Sequence, residues 1–158
     1  MIYRGMVAKG VECVDNIRRR YDGKFRNPWD EAECGHHYAR AMAAWSGVLA
    51  LSGFLYDAPR LSLRVTPRAQ HSFQCIWSAA SAWGTFLYGT AFALKIEHGA
   101  LGLREVLLPA RAGSSQPRKV TLAGRGLKFR ARRNDASLWQ VELTEDVQAH
   151  AGETLAIA

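Results

Sequence analysis

Residues 27–47, "NPWDEAECGHHYARAMAAWSG", decide the fold prediction, because an acidic and histidine-rich start runs into a long apolar segment. Asn27-Pro28 is typical of a helix start, since asparagine caps the first amides and proline fits the first helical position. From Tyr38 to Leu51 the only charged residue is Arg40. A helix that is apolar nearly all round is surrounded by protein. The stretch therefore predicts a buried helix with Arg40 near its start.

The residues before this stretch predict another helix. Apolar residues from Ile2 to Tyr21 recur at near-helical spacing, and Arg18 to Arg20 crowd the last turn, where cations suit the helix dipole. No Ser, Thr, Asp or Asn precedes Ile2 to cap the helix. We therefore expect either a frayed terminus or a chain that begins in mid-helix.

From about residue 60 the apolar period shortens toward two, which is typical of strands. The predicted strands are "LSLRV", "AFALKIE", "LGLREVLL", "RKVTL", "LKFRAR", "LWQVEL" and "TLAI". Turn residues separate them at His98-Gly99, residues 113–115, residues 124–126 and Asn134-Asp135. Close spacing and short turns predict an antiparallel meander. The block "HSFQCIWSAASAWGTF", residues 71–86, is rich in aromatic and small residues and is assigned to no strand.

The composition of the chain limits the classes of protein to which it can belong. The chain has 158 residues, 48% of them hydrophobic, and a formal net charge of +7, which is typical of a globular chain. Its three cysteines are odd in number and lack a CxxC spacing, so we expect reduced thiols and a cytoplasmic location. Arg4 and Lys9 interrupt any signal peptide. No transmembrane segment is expected, because the longest charge-free run is too short.

A metal or nucleophile site around Cys34, His36 and His37 is a weak candidate. Zinc ligands usually come in pairs with two or more residues between them, and Cys-x-His-His departs from that spacing. A nucleophilic Cys34–His pair is also disfavoured, because adjacent helical positions do not face each other. We therefore predict no metal and no cofactor.

Two glutamates, Glu31 and Glu33, could be considered as the paired carboxylates of a glycoside hydrolase. On a helix, positions two apart point about 200° apart, so the two would not flank one bond. A role as partners of the helix dipole is the simpler interpretation. No catalytic residue is predicted within the chain.

The basic stretch from residue 104 to 133 could bind a polyanion. It holds nine Lys or Arg residues and one acid, whereas residues 134–158 hold five acids and no Lys or Arg. Neighbouring strands could therefore pair opposite charges across the sheet. Stacking aromatics are not interleaved on the basic face, as single-strand binders require. The main prediction is therefore that the chain binds no nucleic acid. The alternative function is a basic, non-catalytic β-rich module that binds a polyanion such as nucleic acid.

Residues 1–86 resemble the C-terminal part of the family 116 glycoside hydrolases, which include non-lysosomal glucosylceramidases and bacterial β-glucosidases. The resemblance is carried by "RYDG", "RNPW", "ECG" and "HYARAMA" between residues 20 and 43, and by "WGTF" at residues 83–86. His36 stands where the family often carries Asp or Ser, and "SAWGTF" replaces a more usual Glu-Gly-Trp-Gly string.

The resemblance implies a fold and a partial active site. The fold class expected is α+β: two helices from the end of an (α/α)6 barrel, residues 1–88, followed by an antiparallel β meander, residues 89–158. The family uses a retaining mechanism whose two carboxylates lie upstream of the segment seen here. The chain alone is thus expected to be inactive, as a C-terminal fragment of a hydrolase acting on a β-glucoside or glucosylceramide-like substrate. Its implied partner is the missing N-terminal part of the parent chain.

The same resemblance implies the sugar contacts. Glu31 and Arg40 match family residues that hold hydroxyls of the glucose that is cleaved off, with Glu33 and His37 as possible supporting residues. Glu31 and Arg40 are nine residues apart, which places them about 180° apart on one unbroken helix. We therefore expect the backbone to break near Gly35. If the helix continued from Pro28, the better polar face would be Glu33, His37 and Arg40.

Overall fold

The computed structural model describes residues 1–20, 24, 41–68, 72–110, 115–134 and 137–158. The chain divides into two compact units, Met1–Leu51 and Ser52–Ala158. We call them the helical unit and the strand unit. The predicted division into residues 1–88 and 89–158 stays a prediction.

The helical unit begins with a short 3-10 turn, Ile2–Arg4, and a bend at Gly5. Helix α1 spans Val7–Arg19 and helix α2 spans Ala41–Ser52. Helix α1 thus begins later than the apolar period suggested. No side chain caps its first residues. Its last turn carries Arg18 and Arg19, as the sequence predicts, where they face the negative end of the helix dipole.

The strand unit holds ten strands among the described residues. They are β1 (Phe54–Asp57), β2 (Ser62–Val65), β3 (Phe73–Ser78), β4 (Ala82–Tyr88), β5 (Phe92–Pro109), β6 (Val120–Leu122), β7 (Arg125–Gly126), β8 (Phe129–Arg133), β9 (Leu138–His150) and β10 (Thr154–Ile157). Buried and exposed residues alternate along β4 and along most of β9. This period of two is what a strand with one face on the core requires.

The long strand β5 belongs to two groups of strands. Its first half lies between β4 and β10, and β3, β6 and β7 extend that group. Its second half lies between β2 and β9, and β1 and β8 extend the other group. The pairing of β2 with β5 is parallel, whereas the other strand pairs are antiparallel. The strand unit is therefore a mixed sheet that is joined through β5.

The two groups of strands face each other across one core. The ring of Phe54 from β1 stacks on that of Trp77 from β3, with their centroids 5.4 Å apart. The hydroxyl of Tyr88 in β4 donates to the carbonyl of Pro109 at the end of β5, at 3.2 Å. Trp77 is 2% exposed, and its ring N–H donates to a carbonyl at 3.2 Å, so its burial leaves no unmet donor.

The predicted fold class, α+β with two helices from the end of an (α/α)6 barrel and an antiparallel meander, is wrong. The described chain is β-rich, with two α-helices and a large mixed sheet. Strands start at Phe54, and the unassigned block 71–86 supplies β3 and most of β4. The aromatic and small residues of that block made its alternation of inward and outward positions hard to recognise in the sequence. The parallel contact of β2 with β5 rules out a simple meander.

The prediction that a turn at His98-Gly99 separates two strands is also wrong. The blocks "AFALKIE" and "LGLREVLL" run together through these residues as β5. Gly99 has φ +78°, and the backbone bends there without reversing. By contrast, Gly124 lies in the tight connection between β6 and β7, within the turn that the sequence predicts at residues 124–126, whereas Gly126 belongs to β7.

Candidate functional site

The four residues predicted for the sugar site, Glu31, Glu33, His37 and Arg40, fall within residues 25–40, outside the described part of the chain. The predicted contact of Glu31 and Arg40 with one glucose therefore stays a prediction. The predicted break near Gly35 lies in the same range and is likewise untested.

Helix α1, in the same unit as that segment, exposes its apolar side. Val11, Val14 and Ile17 recur every three residues on one side of the helix, and we call them the α1 stripe. All three are exposed, Ile17 by 60%. Fully burying a side chain of this type stabilises a protein by about 1.5–3 kcal/mol relative to leaving it exposed. The α1 stripe would therefore stabilise the protein further if its side chains were buried.

The basic strand β8 lies against the more acidic strand β9. Arg130 stands opposite Glu142 in the register, and Arg132 stands opposite Gln140. The Nε of Arg132 donates to Oε1 of Gln140 at 3.0 Å. The sequence predicted a pairing of opposite charges across the sheet, and of these two register pairs Arg130 with Glu142 is oppositely charged. Since directly opposite charges attract, part of the positive charge of β8 is offset within the fold.

A row of polar side chains continues from Arg132 across the sheet. The amide of Gln140 donates to one carboxylate oxygen of Glu105, and Ser62 Oγ donates to the other oxygen at 2.5 Å. The row joins β8, β9, β5 and β2 on one face. Because each group already has a partner, the row acts as a cross-strand link that fixes register rather than as a reactive site.

A cavity of about 300 Å3 opens beside this row, where the pairing of β5 with β9 is interrupted between Leu103 and Glu105. Its lining residues are Arg104, Arg130, Glu142, Leu143 and Thr144. Arg104 Nη1 donates to Asp146 Oδ1 at 3.0 Å, which holds that guanidinium in place.

The lining of this cavity does not suit glycoside cleavage. A retaining glycosidase places two carboxyl groups about 5–5.5 Å apart, and Glu142 is the one carboxylate of the lining. The two arginines are balanced by Glu142 and by the ion pair of Arg104 with Asp146. The cavity therefore offers neither a catalytic pair nor a strongly cationic site.

Two titratable groups of the strand unit are shifted by their surroundings. Burial, and secondarily the charge of Asp57, raises the pKa of Tyr56, whose hydroxyl donates to the carbonyl of Gly102 at 2.7 Å. Burial also raises the pKa of the Cys75 thiol, partly opposed by a hydrogen bond from the backbone of Ile76. A thiol with a raised pKa is a poor nucleophile at neutral pH, so Cys75 is a packing residue.

The described ranges contain no candidate metal site. No group of three or more His, Cys, Asp or Glu side chains there is placed to hold an ion. The weak candidates Cys34, His36 and His37 lie outside those ranges.

The surface feature that the sequence analysis missed is a pairing of Trp83 with His98. The two rings are 6.5 Å apart between centroids and inclined by 22°. The turn predicted at His98 obscured it. The available signal was the position of Trp83 between Ala82 and Gly84, since a large residue between two small inward positions must point outward on a strand.

None of the described helices has the length and apolar character needed to cross a membrane. Comparison with known proteins adds no family assignment: no protein-family model matches the chain, and no curated protein matches it.

Proposed function

We propose that the chain is the C-terminal, sugar-contacting part of a retaining β-glucosidase or glucosylceramidase-like hydrolase. The carrying observation is the string of motifs from residue 20 to 43, with "WGTF" at residues 83–86. In this proposal Glu31 and Arg40 hold hydroxyls of one glucose, and Glu33 and His37 support them. A carboxylate and a guanidinium provide the charge-assisted hydrogen bonds that fix a sugar ring.

The exposed α1 stripe supports the proposal from the structure. Exposed apolar side chains that are aligned on one helix face are typical of a surface that packs on further protein. The proposed partner is the part of the hydrolase that supplies the nucleophile and the acid. The chain alone is proposed to be inactive, because glycoside cleavage requires both carboxylates.

The alternative function, a basic module that binds nucleic acid, has less support. Arg130 stands opposite Glu142 in the register of β8 and β9. Binding a phosphate backbone depends on positive charge, and the opposed carboxylate offsets part of it. We propose a cytoplasmic location, on the ground of the three cysteines and their spacing.

The test is binding of 1-deoxynojirimycin, a protonated glucose mimic, measured by calorimetry on the purified chain. Glu31→Gln and Arg40→Lys are each expected to weaken binding about tenfold, because a hydrogen bond to a charged group contributes about 1.5–3 kcal/mol. Glu12→Gln, an exposed acid on α1, is the matched control and should bind as the parent does. Equal binding by all three variants would remove the proposed sugar site.

A second observation separates the two functions. Under the hydrolase proposal, the reading frame upstream of Met1 encodes helical segments with two catalytic carboxylates. Turnover of an aryl β-glucoside by the chain alone, lost in Glu33→Gln, would instead place the chemistry in this chain.

A further inference from the structure

Trp83 carries an exposed indole on the surface of the sheet. It lies on β4 and is 46% exposed, although its neighbours Ala82 and Gly84 are buried. Its ring stacks on that of His98 in the adjacent strand. An indole combines a large apolar face with a polar N–H, so a partly exposed one can contact a ligand through both.

The backbone around Trp83 is shaped to hold this pair. The pairing of β4 with β5 carries a bulge between Trp83 and Gly84, so that Trp83 faces His98 while Gly84 faces Ile96. Bulges re-aim side chains and are frequent beside functional sites. A Cβ at Gly84 would lie 2.0 Å from the carbonyl oxygen of Lys95, and one at Gly99 would lie 2.1 Å from that of Ser81. Both glycines are therefore needed for this local geometry.

Polar groups border the stacked pair on the same face. Lys95 and Glu97 alternate with the buried Ile96, and their side chains form an ion pair at 2.8 Å. The bulge leaves Glu97 without a direct partner in β4, beside His98. The face thus brings an aromatic ring together with a few donors and acceptors, the two kinds of group that fix a bound small molecule.

We propose that Trp83 and His98 form a binding platform for a β-linked glucose oligosaccharide. A β-glucopyranose ring holds its hydroxyls equatorially, so its two faces are apolar and can lie flat on the indole. Its edge hydroxyls can then bond to Glu97, Lys95 and a ring nitrogen of His98. This site lies on the strand unit and does not depend on Glu31 or Arg40.

The charges of the face favour a neutral ligand over a nucleic acid. Bases also stack on aromatic rings, but proteins that bind single strands combine such rings with a positively charged groove. Here the ammonium of Lys95 is paired with Glu97. A neutral, hydroxyl-rich ring fits this balance better than a phosphodiester does.

The experiment titrates the purified chain with cellotetraose and follows indole fluorescence and amide NMR shifts. Trp83→Ala is expected to lower the affinity about tenfold or more, and His98→Ala by a smaller factor, since loss of the ring costs the stacking contact. Trp83→Phe should retain part of the affinity. Leu87→Ala, an equally exposed residue on the same strand, is the matched control and should leave binding unchanged.

Three results would overturn the proposal. The first is no binding of cellotetraose by the folded parent chain at 10 mM, a concentration that detects a binding free energy as weak as about −3 kcal/mol. The second is tighter binding of an oligo-dT strand that is lost in Trp83→Ala. The third is self-association that Trp83→Ala abolishes. Glu31→Gln should leave cellotetraose binding intact, so a failure here is distinct from a failure of the proposed glucose site.

Discussion

The helical unit and the strand unit use their apolar residues in opposite ways. In the strand unit, side chains from both groups of strands meet in one continuous core, and Ile96 is 0% exposed. In the helical unit, the α1 stripe of Val11, Val14 and Ile17 is exposed, although its composition is just as apolar. Apolar periodicity therefore indicates that one face of an element needs to be buried, but it does not indicate which partner buries that face.

The comparison also separates two kinds of function. The strand unit has a satisfied core and carries its distinctive chemistry on the outer surface, at Trp83 and His98. The helical unit includes the residues proposed to bind glucose, and its helix α1 leaves an apolar stripe exposed. We infer that the strand unit supports itself, whereas helix α1 depends on a partner surface for much of its stability.

The largest expected effect comes from one substitution made in both units. Ile96→Ala should lower the free energy of unfolding by about 2–5 kcal/mol, because it removes buried methyl groups and leaves a cavity. Ile17→Ala should change it by less than about 0.5 kcal/mol, as is usual for surface positions. Urea denaturation measures both. A loss above 2 kcal/mol for Ile17→Ala would show that the α1 stripe is packed and would break the comparison.

Two glycines give the next effect. Gly84→Ala should cost about 1–3 kcal/mol, because its Cβ would meet the backbone of Lys95, which can move only with the strand. Gly10→Ala in α1 would meet the side chain of the buried Ile2 and would lie 3.2 Å from its backbone nitrogen, so the turn at Ile2 must shift. A gain of about 1 kcal/mol in helix propensity offsets part of this cost. Thermal melts should therefore show a clear loss for the first variant and a smaller loss for the second.

The thiols of the two units, Cys13 and Cys75, should also differ in their reactivity toward alkylating reagents. Burial raises the pKa of Cys75 in β3, so its thiolate fraction at pH 8 falls and alkylation slows. Cys13 in α1 is exposed. Iodoacetamide labelling with peptide mapping should modify Cys13 about tenfold faster or more, and the rate at Cys75 should keep rising as the pH goes above 9. Equal rates at the two sites would argue against a closed strand unit.

The smallest expected effect concerns the polar row across the sheet. Glu105→Gln should cost about 1 kcal/mol, because a neutral amide oxygen accepts the hydrogen bonds from Ser62 and Gln140 less strongly. The exposed Glu145, changed to Gln, is the control on β9 and should be neutral. If both variants behaved alike, the row would not contribute to the stability of the strand unit.

Several local features of the fold could be predicted from the sequence, but not its overall class. Alternation marked most of the later strands, and the opposite charges of β8 and β9 indicated their pairing. The blocks at 91–97 and 101–108 were separated in error, because Gly99 signals a turn whether the chain reverses or only bends. The parallel contact of β2 with β5 has no sequence signal, since it depends on long-range packing.

The candidate sites differ in the same way. Glu31 and Arg40 were predicted from a motif, and their contact stays a prediction. Trp83 and His98 are fifteen residues apart in sequence and meet through the register of β4 with β5. A one-residue change in register would turn Trp83 toward the core. No local sequence pattern could specify that register, because it is set by the bulge at Gly84 in the pairing of β4 with β5.

Hydrogen exchange monitored by mass spectrometry tests most directly whether the strand unit supports itself and the helical unit does not. Amides of β5 should exchange only through global unfolding, because they lie in the centre of the sheet with partners on both sides. Amides of α1 should exchange through local opening and should be labelled orders of magnitude faster. Protection of α1 equal to that of β5 in the isolated chain would contradict the account.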